Sequence, residues 1–238
     1  MPPPSSPSLA QTLQTALLPT SLPLPSLPWL QHNVLPTRNP PPPLASLLAT
    51  ARTRLLALDL TTPGLIDAAY AAAHQLPRAQ INHAEVDGVA RLQRDVVVQV
   101  LDVENLSRSR WEQVEELEAL ERGEGTRGRE VVRVEATPAG DEDLPTAGDS
   151  KATHRLVLQD CVGQRVFAVE LARVERVGVG RTSIGEKMML KKGTKIARGV
   201  VLLEGGLCQV IGGKVEEWHK EWTKERVAKL KGAVEGGE

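Results

Sequence analysis

Eight residues, Val96 to Val103 (VVVQVLDV), limit most strongly what this chain can become. β-Branched side chains crowd the preceding turn of a helix but sit well on a pleated surface. A short run of five valines, broken only by Gln99, Leu101 and Asp102, therefore predicts a central strand rather than a helix. A central strand needs neighbours. Downstream runs of the same character are His154–Gln159, Arg165–Leu171, Lys187–Lys191, and Ile196–Leu203 with Leu207–Ile211. Turn residues separate them at 160–163, 192–193, 205–206 and 212–213. Five or so strands in about 120 residues predict a small barrel, of which the five-stranded OB fold is the commonest intracellular form. Six aromatic residues serve the whole chain (Trp29, Tyr70, Trp111, Phe167, Trp218, Trp222), so Leu, Val, Ile and Ala must build the core. The 238 residues suffice for one good core and a little more, or for two small domains.

The period differs ahead of that strand. Leu44, Leu47, Leu48, Ala51, Leu55 and Leu58 lie on one face of a helix, opened by Pro43 and ended near Asp59–Pro63. Each leucine it encloses contributes roughly 1.5–3 kcal/mol before entropy is charged. Residues 1–50 hold 13 of the 17 prolines and one charged residue, Arg38. That composition predicts a disordered start, extended linkers at 22–30 and 39–43, and short helices at 9–18 and 28–35. At the other end, Val215, Trp218, Trp222, Val227 and Leu230 share one side of a helix over 214–231, and Glu216–Lys220 and Glu225–Lys229 are favourable pairs. The reading is mixed α and β. A Pro-rich, partly disordered segment spans 1–43, a helical region 44–93, an OB barrel 94–213, and a C-terminal helix and tail 214–238.

Within the barrel, residues 104–153 separate the first strand from the second, far beyond a hairpin loop. This insertion carries thirteen acidic residues against six arginines and Lys151. Ser109-Arg110-Trp111-Glu112 has the spacing of a capping box, and Trp111, Val114, Leu117 and Leu120 continue as a short amphipathic helix. Arg129–Val134 reads as a strand stub, and Thr137–Asp149 as a polar, mobile stretch. A solvated loop explains the charge but not the Trp/Val/Leu stripe, which suits insertion into a partner. Because closure entropy grows slowly with length, shortening 105–150 is expected to leave the barrel nearly as stable.

Catalytic constellations are missing from the sequence. His32, His74, His83, His154 and His219 show no paired ligand spacing, and Gly123–Gly128 lacks the Gly-Lys-Ser/Thr ending of a phosphate loop. Cys161 and Cys208 are too few for a disulfide framework or a cysteine zinc site and read as small buried hydrophobes. No cofactor, no metal and no enzymatic activity are expected. No stretch approaches the ~18 apolar residues of a membrane span, and the first twenty residues make a poor signal peptide. A reducing intracellular compartment and no membrane contact are the default.

Three runs are more specific: Gly185-Glu186-Lys187-Met188-Met189-Leu190, then Arg198-Gly199-Val200-Val201-Leu202-Leu203-Glu204, then Gln209-Val210-Ile211-Gly212-Gly213-Lys214-Val215. With Pro28-Trp29-Leu30 and Leu55–Gly64 upstream, their collinear order resembles the RecQ-mediated genome instability protein 1 family in its short fungal form, over about residues 25–230. The resemblance implies a non-catalytic nuclear subunit that binds topoisomerase III and a RecQ helicase. It implies roles in replication, homologous recombination and repair through double Holliday junction dissolution. It implies that 104–153 reaches into the topoisomerase gate; within that segment Trp111, Val114 and Leu117, apolar among charged neighbours that prefer water, are the candidate partner-binding residues. The family's glycine-x-lysine contact maps onto Lys187, which at a barrel rim would meet the topoisomerase. The attacking residue of topoisomerase chemistry is a tyrosine, and the single one here, Tyr70, sits in an alanine-rich segment that suits packing.

Two rival classes remain open on sequence: a single-strand DNA-binding OB protein and an unrelated OB-type adaptor. A net charge of −1 excludes a grip on nucleic acid by bulk electrostatics. Residues 151–238, however, carry seventeen bases against eleven acids. Lys191, Lys192, Lys195 and Arg198 are the candidates there for weak, salt-sensitive phosphate contacts. Against the DNA reading, the barrel strands hold one aromatic, Phe167, whereas such sites stack several bases.

Overall fold

The computed structural model describes residues 8–35, 42–82, 88–121, 124–127, 130–133 and 152–235. Three helices come first: α1 (Leu9–Leu17), α2 (Leu27–Asn33) and α3 (Leu44–Ala57). Side chains cap α1 and α2, Pro28 stands in the first turn of α2, and Pro43 precedes α3 without a side-chain cap. Ser8 and Gln11 form a reciprocal capping box on α1, and the Ser26 hydroxyl accepts from the Trp29 amide at the head of α2. Leu13, Leu30, Leu47, Ala51, Leu55 and Leu65 enclose one another between them. Of the face expected on α3, Leu47, Ala51 and Leu55 are buried, Leu48 and Leu58 pack at the margin, and Leu44 stays exposed. Two shorter helices follow, α4 (Ala68–Ala73) and α5 (Arg78–Asn82).

The sheet is built from β1 (Val89–Arg91), β2 (Val96–Asn105), β5 (His154–Asp160), β6 (Arg165–Glu170), β7 (Lys187–Leu190), β8 (Lys195–Ala197), β9 (Val200–Leu203) and β10 (Cys208–Gly212), with α6 (Arg110–Glu121) and a hairpin of β3 (Glu124–Arg127) and β4 (Glu130–Arg133) between β2 and β5. Its spatial order is β1-β8-β9-β6-β5-β2-β7-β10. Every pairing is antiparallel except β6 with β9. Following the directions round, β9 and β10 run the same way on opposite flanks of the sheet, yet residues 204–207 alone join them. So short a link reaches only if the sheet has curled until its flanks meet. Five long strands, β2, β5, β6, β7 and the split strand β9–β10, thus make the expected barrel, and its interior is Val98, Val100, Leu156, Leu158, Met188 and Val201 with their neighbours.

Two elements differ from expectation. Val89–Arg91 lies in the stretch read as helical but pairs with β8 as a strand. Three residues carry no period, so nothing local marked it. Ile196–Leu203, read as one strand, is a two-residue hairpin, because Arg198 (φ 48°) and Gly199 (φ 76°) both turn left-handed as a tight antiparallel turn requires. Helix α7 (Glu216–Glu235) closes the chain and packs Trp218 and Trp222 against the barrel core. Among the described residues no helix is long and apolar enough to cross a membrane.

Candidate partner-binding site

Lys187 is not at a rim. It is wholly enclosed, and its ammonium donates to the carbonyls of Leu56 (3.1 Å), Leu58 (2.6 Å) and Gly185 (2.6 Å). The first two end helix α3, so the lysine ties the helical region to the barrel and corrects its sequence reading as a rim contact. Burial pushes its pKa down to about 8, against an opposing pull from Asp59. Around it the Gln99 amide donates to Asp59 (2.6 Å) and Gln159 (3.1 Å) and accepts from the Leu60 amide (2.9 Å). Two glycines complete the joint. A Cβ on Gly213 would stand 2.5 Å from the Leu56 carbonyl oxygen, and one on Gly185 2.5 Å from Val215. Both have positive φ. Three of the runs that carry the likeness, Leu55–Gly64, Gly185–Leu190 and Gln209–Val215, therefore meet at the end of α3. Gln99, a polar residue inside a valine run, was the sequence signal for this network.

The insertion has a fixed root. β2 and β5 pair as far as Asn105 and His154, and Leu106 N–H donates to the Thr153 carbonyl at 2.8 Å. Beneath it Glu170 accepts from the His154 ring (2.7 Å) and amide (2.8 Å), from Arg173 (2.9 Å) and from the Val174 amide (2.9 Å). Burial pushes the Glu170 carboxyl up, but these donors outweigh it and hold it below the usual carboxylate range. Helix α6 opens with the expected box: Ser109 N–H donates to the Glu112 carboxylate at 2.8 Å, and Glu112 N–H to the Ser109 hydroxyl at 3.2 Å. The helix lies on α7, joined by Lys231–Glu118 (2.5 Å) and by Arg110 donating to the Ala233 carbonyl (3.2 Å).

That docking sorts the three insertion residues. Trp111 is exposed (57%), its indole N–H donating to Glu115 at 3.0 Å; Leu117 is half-buried; Val114 is buried (2%) and does not face a partner. Helix spacing placed the three on one stripe, but in the fold that stripe is covered at Val114 and open at Trp111. Removing 105–150 would take away two buried side chains, Val114 and Gln113, so a stability cost is now expected from that deletion. An open cleft of about 500 Å³ lies beside Trp111, lined by Leu106, Arg108, Arg110 and Val234 among others. The Leu120 side chain and Thr137–Asp149 lie outside the described residues.

Asp102, which sequence reasoning missed, anchors α7 to the root of the insertion. It sits at a bulge in β2, accepts from the Trp222 indole at 2.7 Å and pairs with Lys229, which thereby leaves its expected partner Glu225. Burial raises its pKa, but Lys229 and Trp222 outweigh that and hold the carboxyl below its ordinary 3.8. Asp102→Asn is expected to cost about 1–3 kcal/mol. A depressed carboxylate pKa contributes stability above the unfolded value and loses it as pH falls through the folded one. Urea midpoints of wild type and variant should therefore stay apart down to about pH 5 and converge below the ordinary carboxylate value.

The basic candidates do not form one site. Lys191 Nζ donates to the Gly206 carbonyl (3.3 Å) and Lys195 pairs with Glu204 (2.8 Å). Lys192 and Arg198 are exposed at opposite ends of β8. Tyr70 stacks on His74 at 4.2 Å between ring centroids, and burial pushes its hydroxyl up to about 12. Burial likewise pushes the Cys208 thiol up to about 12, with the Glu170 charge adding to it. Among the described residues no three His, Cys, Asp or Glu side chains gather as a metal site.

A curled sheet of this topology, with β6 parallel to β9 and a long insertion after its first long strand, defines an OB-fold protein. The family model for the RMI1 N-terminal OB-fold domain matches residues 73–226. The chain therefore belongs to the RMI1 family. A curated relative, the RecQ-mediated genome instability protein 1 of Schizosaccharomyces pombe, is 29% identical over 158 residues, which are 60% of this chain and 66% of that protein. The match thus spans just under two thirds of the relative's length.

Proposed function

We propose that the chain is the non-catalytic OB subunit of a nuclear assembly of topoisomerase III with a RecQ helicase, and that residues 104–153 bias the topoisomerase gate during double Holliday junction dissolution. One observation carries this reading: the insertion leaves the barrel from a rigid root and presents Trp111 to solvent on a helix held by α7. A loop shifts an open–closed equilibrium only by binding the two states differently, and a rigidly based apolar side chain has the means to do so. Family membership supports the same partner class. No DNA contact is needed for this role.

The test uses recombinant topoisomerase III with wild-type protein, Trp111→Ala, and a variant in which 134–150 is replaced by a short Gly/Ser link that leaves α6 in place. Copurification is expected for all three. The ratio of decatenation to relaxation at saturating protein is expected to shift in both variants. Failure of the wild type to copurify sinks the partner; unchanged ratios sink the gate role alone.

A further inference from the structure

The outward face of the sheet carries a second surface, separate from the insertion. Val157 lies opposite Phe167, Phe167 beside Val200, Val200 opposite Ala197, and Ala197 opposite Val89. One apolar row thus crosses five strands, about 19 Å at the usual strand spacing. Their neighbours in sequence, such as Leu158, Val166, Ala168, Val201 and Ile196, fill the core, so the row faces away from it. Outward positions of a half-solvated sheet are ordinarily polar. Here Phe167 is 50% and Val89 57% exposed.

The margins of the row are cationic. Arg155, Lys195 and Arg91 share the next register, Arg165 follows on β6, and Arg198 stands at the hairpin tip. Glu104 and Glu204 neutralise Arg155 and Lys195. An excess of positive charge remains at Arg91, Arg165 and Arg198. We propose that this face docks an acidic protein segment bearing aliphatic side chains, its apolar residues on the Val157–Phe167–Val200–Ala197–Val89 row and its carboxylates at the arginine margin. A second copy of the chain would oppose arginine to arginine. An oligonucleotide would find one aromatic platform, whose ring already has the Arg155 guanidinium 5.3 Å from its centroid.

The test titrates the full isotope-labelled chain with a short synthetic peptide alternating glutamate with leucine or valine. The controls are the same peptide with lysine for glutamate, and oligo-dT. The expected result is amide shift changes centred on Phe167, Val200 and Ala197 with the acidic peptide, and affinity reduced at least about tenfold in Phe167→Asp and in Arg165→Glu. Phe167→Thr, which keeps a strand former at an exposed position, confirms the loss without added charge. Shift changes elsewhere, equal binding of the lysine peptide, tighter binding of oligo-dT to the same residues, or self-association through this face would overturn the proposal. Because topoisomerase is absent from the assay, the outcome is independent of the gate reading.

Discussion

Lys187→Ala is expected to lower unfolding free energy by about 3 kcal/mol. Three effects compete. Truncating a wholly enclosed chain of this length leaves a cavity worth roughly 2–5 kcal/mol. The carbonyls of Leu56, Leu58 and Gly185 lose a common donor, at about 1–3 kcal/mol for an unsatisfied buried group. Against these, the cost of burying a charge disappears; a pKa lowered from 10.5 to about 8 places that cost near 3 kcal/mol. Cavity and unpaired carbonyls together win. Lys187→Met keeps the stem packing and should lose less.

The same shift sets a pH signature. Below pH 8 both states hold the proton and the burial cost is full. Between about 8 and 10.5 the native state has shed its proton while the unfolded chain still binds it, so stability from this group rises with pH. The advantage of wild type over Lys187→Met should therefore grow from pH 7.5 to 10 in urea unfolding. Comparison with the variant removes Cys161, Cys208 and Tyr70, whose raised pKa values act in the opposite direction. A constant difference across that range would mean that the lysine is not enclosed in solution.

Gly213→Ala is expected to cost about 2–5 kcal/mol, the sum of left-handed backbone strain and overpacking. The methyl would meet a backbone oxygen, Leu56 O at 2.5 Å, with no flexible tip to yield. The strain is relieved by moving α3 away from the barrel, so trypsin should cut at Arg52 and Arg54 sooner than in wild type. Gly232→Ala is the control. It lies within α7 with open space around its Cβ position, and alanine there should stabilise by about 0.5–1 kcal/mol. Equal melting temperatures for Gly213→Ala and wild type would dissolve the joint.

The barrel was legible where side-chain shape dictates conformation. Valines at 96–98 and 100 and the Gly-rich turns have few alternatives, and the strands other than β1 and the β8–β9 hairpin lie where their residues indicated. Helix α3 followed from leucine spacing for the same reason. The site was less legible because spacing places a residue on a face without saying what covers that face. Val114 and Trp111 share a stripe, yet the tertiary packing of α6 buries one and leaves the other exposed. Lys187 opens β7 two residues after Gly185, and its direction depends on where the end of α3 lies, more than a hundred residues earlier. Lys229 answered to Asp102 rather than to its helical neighbour because the β2 bulge brings that carboxylate to α7.

The closure of the barrel through residues 204–207 makes order of synthesis matter. The first long strand, β2, leaves the ribosome well before β7 and β10, and the whole insertion intervenes before β5 can pair with it. Until Lys187 and Gly213 have emerged, the end of α3 lacks the contacts that lock it to the barrel. A nascent chain must therefore carry the valine strand with both edges open until β5 has emerged, and with one edge open until β7 follows. Non-local pairing of this kind folds slowly and leaves an adhesive edge open meanwhile. The insertion that follows that edge in sequence carries thirteen acids against seven bases, and an excess of like charge beside an open edge disfavours edge-to-edge pairing between chains.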